Sequence, residues 1–188
     1  MIIGLTGTLG AGKGTVADYL IEKGFKHFSV REFLIKEITK RGMPVNRDSM
    51  VIVANDLRAT HSPSYIVEEL YKQAKQQSSN AIIESIRAPG EAEAIKNLGG
   101  MMFAVDADKQ LRYERITARA SETDHVSFEE FKKNEDREMT STDPNKQNLG
   151  RCISMADHVL KNNGTIEELK KEVDKILEEM EHEEGEKT

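Results

Sequence analysis

Gly7-Thr8-Leu9-Gly10-Ala11-Gly12-Lys13-Gly14-Thr15 decides the fold. It follows the apolar run from Ile2 to Leu5, which reads as a strand, and precedes Val16, Leu20 and Ile21 at helical spacing. Strand, glycine-rich turn and helix in that order make a phosphate loop. Glycines at 7, 10, 12 and 14 let backbone N–H groups turn inward around a phosphate. The following helix presents its positive end, and Lys13 adds a compact charge for β- and γ-phosphates. The nucleotide side is therefore Gly7, Gly10, Ala11, Gly12, Lys13, Gly14 and Thr15, with ATP as the expected donor. The hydroxyl that usually follows the lysine and ligates Mg²⁺ is replaced by Gly14, so Thr15 is the candidate metal ligand.

Outward from this loop, Phe25 to Phe28, Ala81 to Ile83, Met102 to Val105 and His158 to Leu160 read as further strands separated by helical patterns. Near-continuous apolar character implies strands covered on both faces, as in a parallel sheet with right-handed crossovers. The expected fold is three-layer α/β: a five-stranded parallel sheet of P-loop NTPase, nucleotide-kinase topology with a small helical lid insertion. Ser29-Val30-Arg31-Glu32, Ser127-Phe128-Glu129-Glu130 and Thr165-Ile166-Glu167-Glu168 fit the capping box and predict three helix starts. After Thr165, Ile166, Leu169, Val173, Ile176, Leu177 and Met180 recur at three- and four-residue spacing and place one helix face on the sheet. The polar stretch 121–151, anchored by Phe128 and Phe131 and ending in the loop from Thr140 to Asn145, reads as a mobile lid. Residues 1–177 form one expected domain, and 178–188 an acidic, frayed tail.

The chain has 188 residues, 37% hydrophobic and 32% charged, with a mean hydropathy of -0.59. That is long enough for a single core burying about 70% of the unfolded surface, and too apolar for disorder. No run approaches a membrane span, and no basic region precedes the first apolar stretch, so neither membrane insertion nor export is expected. One cysteine, Cys152, cannot form an internal disulfide, and the five histidines are scattered, which fits a reducing cytoplasm without a zinc site. The net charge is -6, but six glutamates and one lysine lie within 178–188, leaving a nearly neutral body. Without a basic stripe, nucleic acid is not an expected partner. Oligomeric state is not legible.

Phosphoryl transfer also needs a metal-side carboxylate, an acceptor cradle and cations for the moving charge. Glu84, at the end of the third strand in Ile82-Ile83-Glu84-Ser85-Ile86-Arg87, stands near the loop at the sheet's C-terminal edge and is the candidate metal-side acid, or else a solvated strand end. Arg87 can grip an acceptor phosphate bidentately. Arg115 and Arg119 follow the fourth strand at i, i+4 spacing. They either aim at phosphates or pair with Glu114 and solvent.

The Gly-Lys-Gly-Thr form resembles adenylate kinases and their relatives, with Leu9 where those often have proline. In adenylate kinases and dephospho-coenzyme A kinases a similar Arg-x-x-x-Arg pair serves the phosphates, which implies that role for Arg115 and Arg119. Over most of its length the chain also resembles a group of archaeal adenylate-kinase-related proteins. That likeness lies in Gly-x-x-Gly-x-Gly-Lys-Gly, Asp56-Leu57-Arg58, Ser62-Pro63-Ser64-Tyr65, Ile86-Arg87 and Asp136-x-Glu138, and implies a cleft lined by Arg58, Arg87, Asp136 and Arg137. Ala156 to Gly164 is similar to the end of dephospho-coenzyme A kinases, which puts Asn163 beside the ATP base. Phe28-Ser29-Val30-Arg31-Glu32 aligns with the acceptor motif of adenylate kinases, making Ser29 and Arg31 substrate-side candidates. The family's monophosphate arginine is Ile35 here, and the aspartate pair of dephospho-coenzyme A kinases is missing. The expected function is ATP- and Mg²⁺-dependent phosphorylation of a nucleoside or deoxynucleoside monophosphate. Dephospho-coenzyme A kinase activity, or a nucleotide-binding regulatory module without kinase activity, are the alternatives.

Overall fold

The computed structural model describes residues 1–119, 127–141 and 147–185, with the side chains of 47 and 183–185 excepted. In chain order the elements are β1 (Ile2–Gly7), α1 (Lys13–Glu22), β2 (Lys26–Ser29), α2 (Val30–Lys40), α3 (Arg47–Thr60), α4 (Tyr65–Gln77), β3 (Ala81–Glu84) and α5 (Pro89–Asn97). Then come β4 (Met101–Asp106), α6 (Lys109–Arg119), α7 (Phe128–Met139), α8 (Leu149–Ser154), β5 (His158–Lys161) and α9 (Ile166–Gly185). The strands form one all-parallel sheet in the order β2-β3-β1-β4-β5, as the apolar runs predicted.

Strand side chains alternate between two cores. On one face Ile2, Phe28, Ile83 and Met102 meet Leu34, Val53, Ile66, Leu70 and Ile95 from α2 to α5, with Cys152 of α8. On the other, Ile3, Leu5, Ile82, Phe103 and Leu160 meet Val16 and Leu20 of α1 and Leu169, Val173 and Met180 of α9. Covering on both faces is why the strands read as continuous rather than alternating runs.

The three predicted caps form. Ser29, Ser127 and Thr165 hydroxyls accept from the backbone N–H of Glu32, Glu130 and Glu168 at 3.3, 3.2 and 3.2 Å. At Thr165 the box closes, since Glu168 Oε2 accepts from the Thr165 N–H at 2.7 Å. Two expectations change. The tail is not frayed from 178: α9 continues to Gly185, because Met180 stays in register and is buried against the α1 side of the sheet. Residues 186–188 lie outside the described part. Within the expected lid, 120–126 and 142–146 also lie outside it, but α7 is docked rather than a loose polar segment. Phe128 and Phe131 pack edge-on and tilted against Tyr113 of α6, and Phe131 is buried. Among the described residues no helix is long and apolar enough to cross a membrane.

The order β3-β1-β4 positions the site. It sets the C-terminal end of β1, and so the phosphate loop, between Glu84 of β3 and Asp106 of β4.

Candidate active site

The loop leaves β1 at Gly7 and enters α1 at Lys13. Four of its carbonyls are held by side chains. Lys13 Nζ donates to Gly7 O at 2.9 Å and Thr8 O at 2.8 Å, Arg112 Nη1 to Leu9 O at 3.3 Å, and Asn162 Nδ2 to Ala11 O at 2.8 Å. In a trans peptide C=O and N–H point in opposite directions, so holding the carbonyls fixes where the N–H groups aim. Three glycines are obligatory, and at the first, Gly7 (φ +141°), a Cβ would collide with the Val105 backbone carbonyl. A Cβ at Gly10 (φ +78°) would lie 2.5 Å from Arg112 O, and one at Gly12 (φ +99°) 2.3 Å from Asn162 Nδ2. Gly14 differs: a Cβ there meets nothing within 4 Å, so its missing hydroxyl has no steric cause. Thr8 Oγ1 donates to Asp106 Oδ1 at 3.1 Å, which fastens the loop to β4.

Burial lowers the Lys13 pKa to about 8, with the Arg87 charge as the second cause and Glu84 and Glu138 opposing. Lys13, Arg87 and Glu84 are therefore electrostatic neighbours. Glu84 Oε2 lies 2.9 Å from His27 Nε2 of β2. This contact holds the Glu84 carboxyl below its ordinary value and raises His27 above its own. Glu84 is thus a partly buried anion paired with His27 at the end of β3. Backbone at the next residue, Ser85, is left-handed (φ +73°), a sparsely populated conformation for a residue with a side chain. It turns the chain from Glu84 toward Arg87.

Arg87, 36% exposed, reaches Glu138 of α7 at 3.4 Å. Its own backbone is clamped from below: Glu91 Oε2 accepts from Arg87 N and Ala88 N at 3.1 and 3.2 Å, and Glu91 Oε1 receives Arg58 Nη2 at 2.6 Å. Here the expectation for Arg58 is corrected. Its guanidinium is committed to a fully buried carboxylate and acts beneath the Arg87 turn instead of facing a ligand.

Other candidates also move. Asn163 bonds Asp108, accepting from its N–H at 2.8 Å and donating to its carboxylate at 3.0 Å, while the neighbouring Asn162 touches the loop. Arg115 turns to the strand-end loop after β5, donating to Asn162 O at 2.9 Å, and Arg119 lies one turn further along α6 on an exposed stretch. On α7 Asp136 and Arg137 are exposed, and Asp136 lies 3.9 Å from Lys109, the lysine that also meets the more buried Glu135. Ser29 spends its oxygen on the α2 cap, and Arg31 is exposed on the first turn of that helix. Thr15 is half-buried in the first turn of α1.

Sequence reasoning missed Arg112, which is 4% exposed. It donates through Nε to Ala107 O at 2.7 Å, through Nη1 to Leu9 O, and through both terminal nitrogens to the carboxylate of Glu135. Burial pushes the Glu135 carboxyl up, but Arg112 and Lys109 hold it below its ordinary value.

As to the metal, the Thr15 hydroxyl and the Glu84 carboxylate are hard oxygen donors beside a phosphate cup. That donor set suits Mg²⁺, which commonly takes one or two carboxylates and completes its shell with phosphate oxygens and water.

A parallel sheet in this order, with a glycine loop and lysine between β1 and α1, defines a kinase-like P-loop nucleotide-binding protein. The sequence profile described as an AAA domain matches residues 3–141, and the chain belongs to that family. A UPF0200 protein of Pyrobaculum aerophilum is 28% identical over 179 residues, spanning 94% of this chain and 96% of its own. The expected likeness to an archaeal kinase-like group is thereby borne out. Among solved structures, shikimate kinase from Bacteroides thetaiotaomicron superposes with a TM-score of 0.62 at 13% identity, over 95% of this chain and 98% of that one. Dephospho-CoA kinase from Campylobacter jejuni gives 0.54 at 18%, over 95% and 96%. At these identities the likeness is one of fold.

Proposed function

We propose that this chain is a cytoplasmic, ATP-dependent phosphotransferase whose acceptor is a nucleoside or deoxynucleoside monophosphate. The observation that carries the reading is the glycine loop that joins β1 to α1 at Lys13, with Arg87 following the end of the neighbouring strand β3. Glu84 and Glu138 balance part of the charge of these two cations within the chain, and the loop N–H groups and the α1 N-terminus add the anion-attracting field on which the reading rests.

In the reaction the loop N–H groups and Lys13 hold the β- and γ-phosphates, and Arg87 holds the acceptor monophosphate. An acceptor phosphate oxygen attacks the γ-phosphorus in line. The bond from that phosphorus to the ADP oxygen breaks, and its electron pair leaves with ADP. The attacking oxygen is already anionic, so no general base is required. Mg²⁺, when bound, neutralises charge on the triphosphate; Glu84 and Thr15 are the residues that would hold it. With α7 packed beside the loop, water would be kept out as a competing acceptor.

A hydroxyl acceptor such as dephospho-coenzyme A is the second reading, favoured by the His27–Glu84 pair, which could receive a hydroxyl proton. A regulatory module without transfer is favoured by the diversion of Arg58 to Glu91. ADP release from ATP and Mg²⁺, measured with each ribo- and deoxyribonucleoside monophosphate and with dephospho-coenzyme A, separates the three. Release dependent on a monophosphate is the expected result. Release only with dephospho-coenzyme A supports the second reading, and ATP binding without release supports the third.

A further inference from the structure

We propose that Arg112 is a positioning residue that fixes the phosphate loop through the Leu9 carbonyl and couples that loop to α7 through Glu135. The inference rests on reading the loop as a triphosphate site.

Arg112 lies outside the loop motif and is not exposed to a ligand, yet it meets the loop twice. Its backbone oxygen abuts Gly10, where a Cβ would come within 2.5 Å. Its Nη1 donates to Leu9 O at 3.3 Å. The Leu9–Gly10 peptide is thereby gripped on its carbonyl side, and the Gly10 N–H is directed the opposite way. The guanidinium is itself immobilised. Nε is pinned to Ala107 O, two residues ahead of its own helix, and Phe131 of α7 lies beneath it, 5.7 Å from ring centroid to Cζ.

The remaining donors hold both oxygens of Glu135, whose side chain is 9% exposed and which also receives Lys109 at 3.2 Å. A planar fork can serve a carbonyl and a bidentate carboxylate together; an ammonium cannot match that geometry. Any movement of α7 therefore pulls on the peptide that aims the Gly10 N–H. Filling the cup with phosphate, conversely, holds Arg112 and steadies α7. Loop and lid helix share one rigid joint.

The test uses the full chain, with ATP and inorganic tripolyphosphate as probes, each titrated by calorimetry beside a melting curve. Arg112→Lys keeps the charge and loses the fork. It is expected to weaken both probes about tenfold or more, as loss of a hydrogen bond to a charged group implies, while the protein remains folded. A purely structural residue would lower the melting temperature and leave the affinity of the folded fraction alone. Should Arg112→Lys not fold, Glu135→Gln decides: its amide oxygen still accepts from Arg112, but the charged bidentate joint is gone. In the unmodified chain tripolyphosphate should slow hydrogen exchange across Phe128–Met139, and in Glu135→Gln that slowing should be lost. A folded Arg112→Lys chain with both affinities within about twofold of the original, or a Glu135→Gln chain whose α7 is protected as before, overturns the role of Arg112. An unmodified chain that binds neither probe overturns the phosphate-loop reading beneath it.

Discussion

The side-chain amide of Asn162 donates to the backbone carbonyl of Ala11 at 2.8 Å, joining the end of β5 to the phosphate loop across 151 positions of sequence. Asn162 is 6% exposed, its Oδ1 faces Arg115, and its Nδ2 fills the space a side chain at residue 12 would need. Asn162→Ala leaves the Ala11 carbonyl without its donor and opens a void. The expected loss of stability is about 1–3 kcal/mol, with weaker ATP binding. Unfolding in urea together with an ATP titration checks this, and a variant unchanged in both would remove Asn162 from the loop's support.

Lys13 sets a pH dependence. Its pKa in the folded chain is about 8 against a reference of 10.5, so the free site loses its positive charge as pH rises through about 8. Triphosphate binding needs that charge, and Kd should be flat near pH 6.5 and weaken above about pH 8, approaching tenfold per unit. Stability of the ligand-free chain moves oppositely. Because the folded value lies below the unfolded one, the unfolded chain binds more protons between the two, and this group adds stability as pH rises from about 8 toward 10.5. Calorimetric Kd values that do not change across this range contradict the assignment of Lys13 to phosphate.

Arg58 and Glu91 form an ion pair with side chains 9% and 1% exposed. Arg58→Met strands a buried carboxylate and should cost about 3–5 kcal/mol. Combining it with Glu91→Gln should recover part of the loss, since the amide oxygen can still accept from the Arg87 and Ala88 N–H groups. If Arg58→Met instead keeps its stability and raises the acceptor KM, Arg58 contacts substrate after all.

Gly14 is exposed, in the first turn of α1, with open space where its Cβ would be. Gly14→Ser should fold at least as stably, gaining up to about 0.5–1 kcal/mol from reduced backbone freedom. It should also tighten Mg²⁺–nucleotide binding by adding a hydroxyl. A melting temperature several degrees lower, with weaker nucleotide binding, would show that this position is closed to side chains.

Among the described side chains Ile176 and Met180 are the last buried residues of α9, and the glutamates beyond them sit where the helix dipole disfavours negative charge. A chain ending after Met180 is expected to keep its melting temperature, whereas one ending after Val173 loses both anchors and should unfold. A large loss on the shorter trimming would mean the acidic end docks elsewhere.

What the sequence disclosed followed from local chemistry. Ile2 to Leu5 and its counterparts announced buried strands, hydroxyl–glutamate pairs announced caps, and the glycine spacing with Lys13 announced the loop. What escaped it depends on contacts between distant segments. Asn162 and Asn163 are indistinguishable until β5 is placed beside β4, and Arg112 gains its meaning only when α6 meets Leu9. One local signal was available on α7. Phe128, Phe131, Glu135 and Glu138 lie on a single helix face, so the two acids share the apolar side and require cations, while Asp136 and Arg137 fall on the outer side. The end of α9 was similarly written in Met180, whose register outweighs the charge of its neighbours.

The central claim is phosphoryl transfer from ATP to a monophosphate, and transfer of label from ATP carrying a radioactive γ-phosphate tests it most directly. In the presence of Mg²⁺ and a panel of nucleoside and deoxynucleoside monophosphates, the unmodified chain should deliver the label to at least one of them as a diphosphate, and folded Lys13→Ala should deliver none. Label that stays in ATP, or appears only as inorganic phosphate whatever acceptor is offered, would contradict the account.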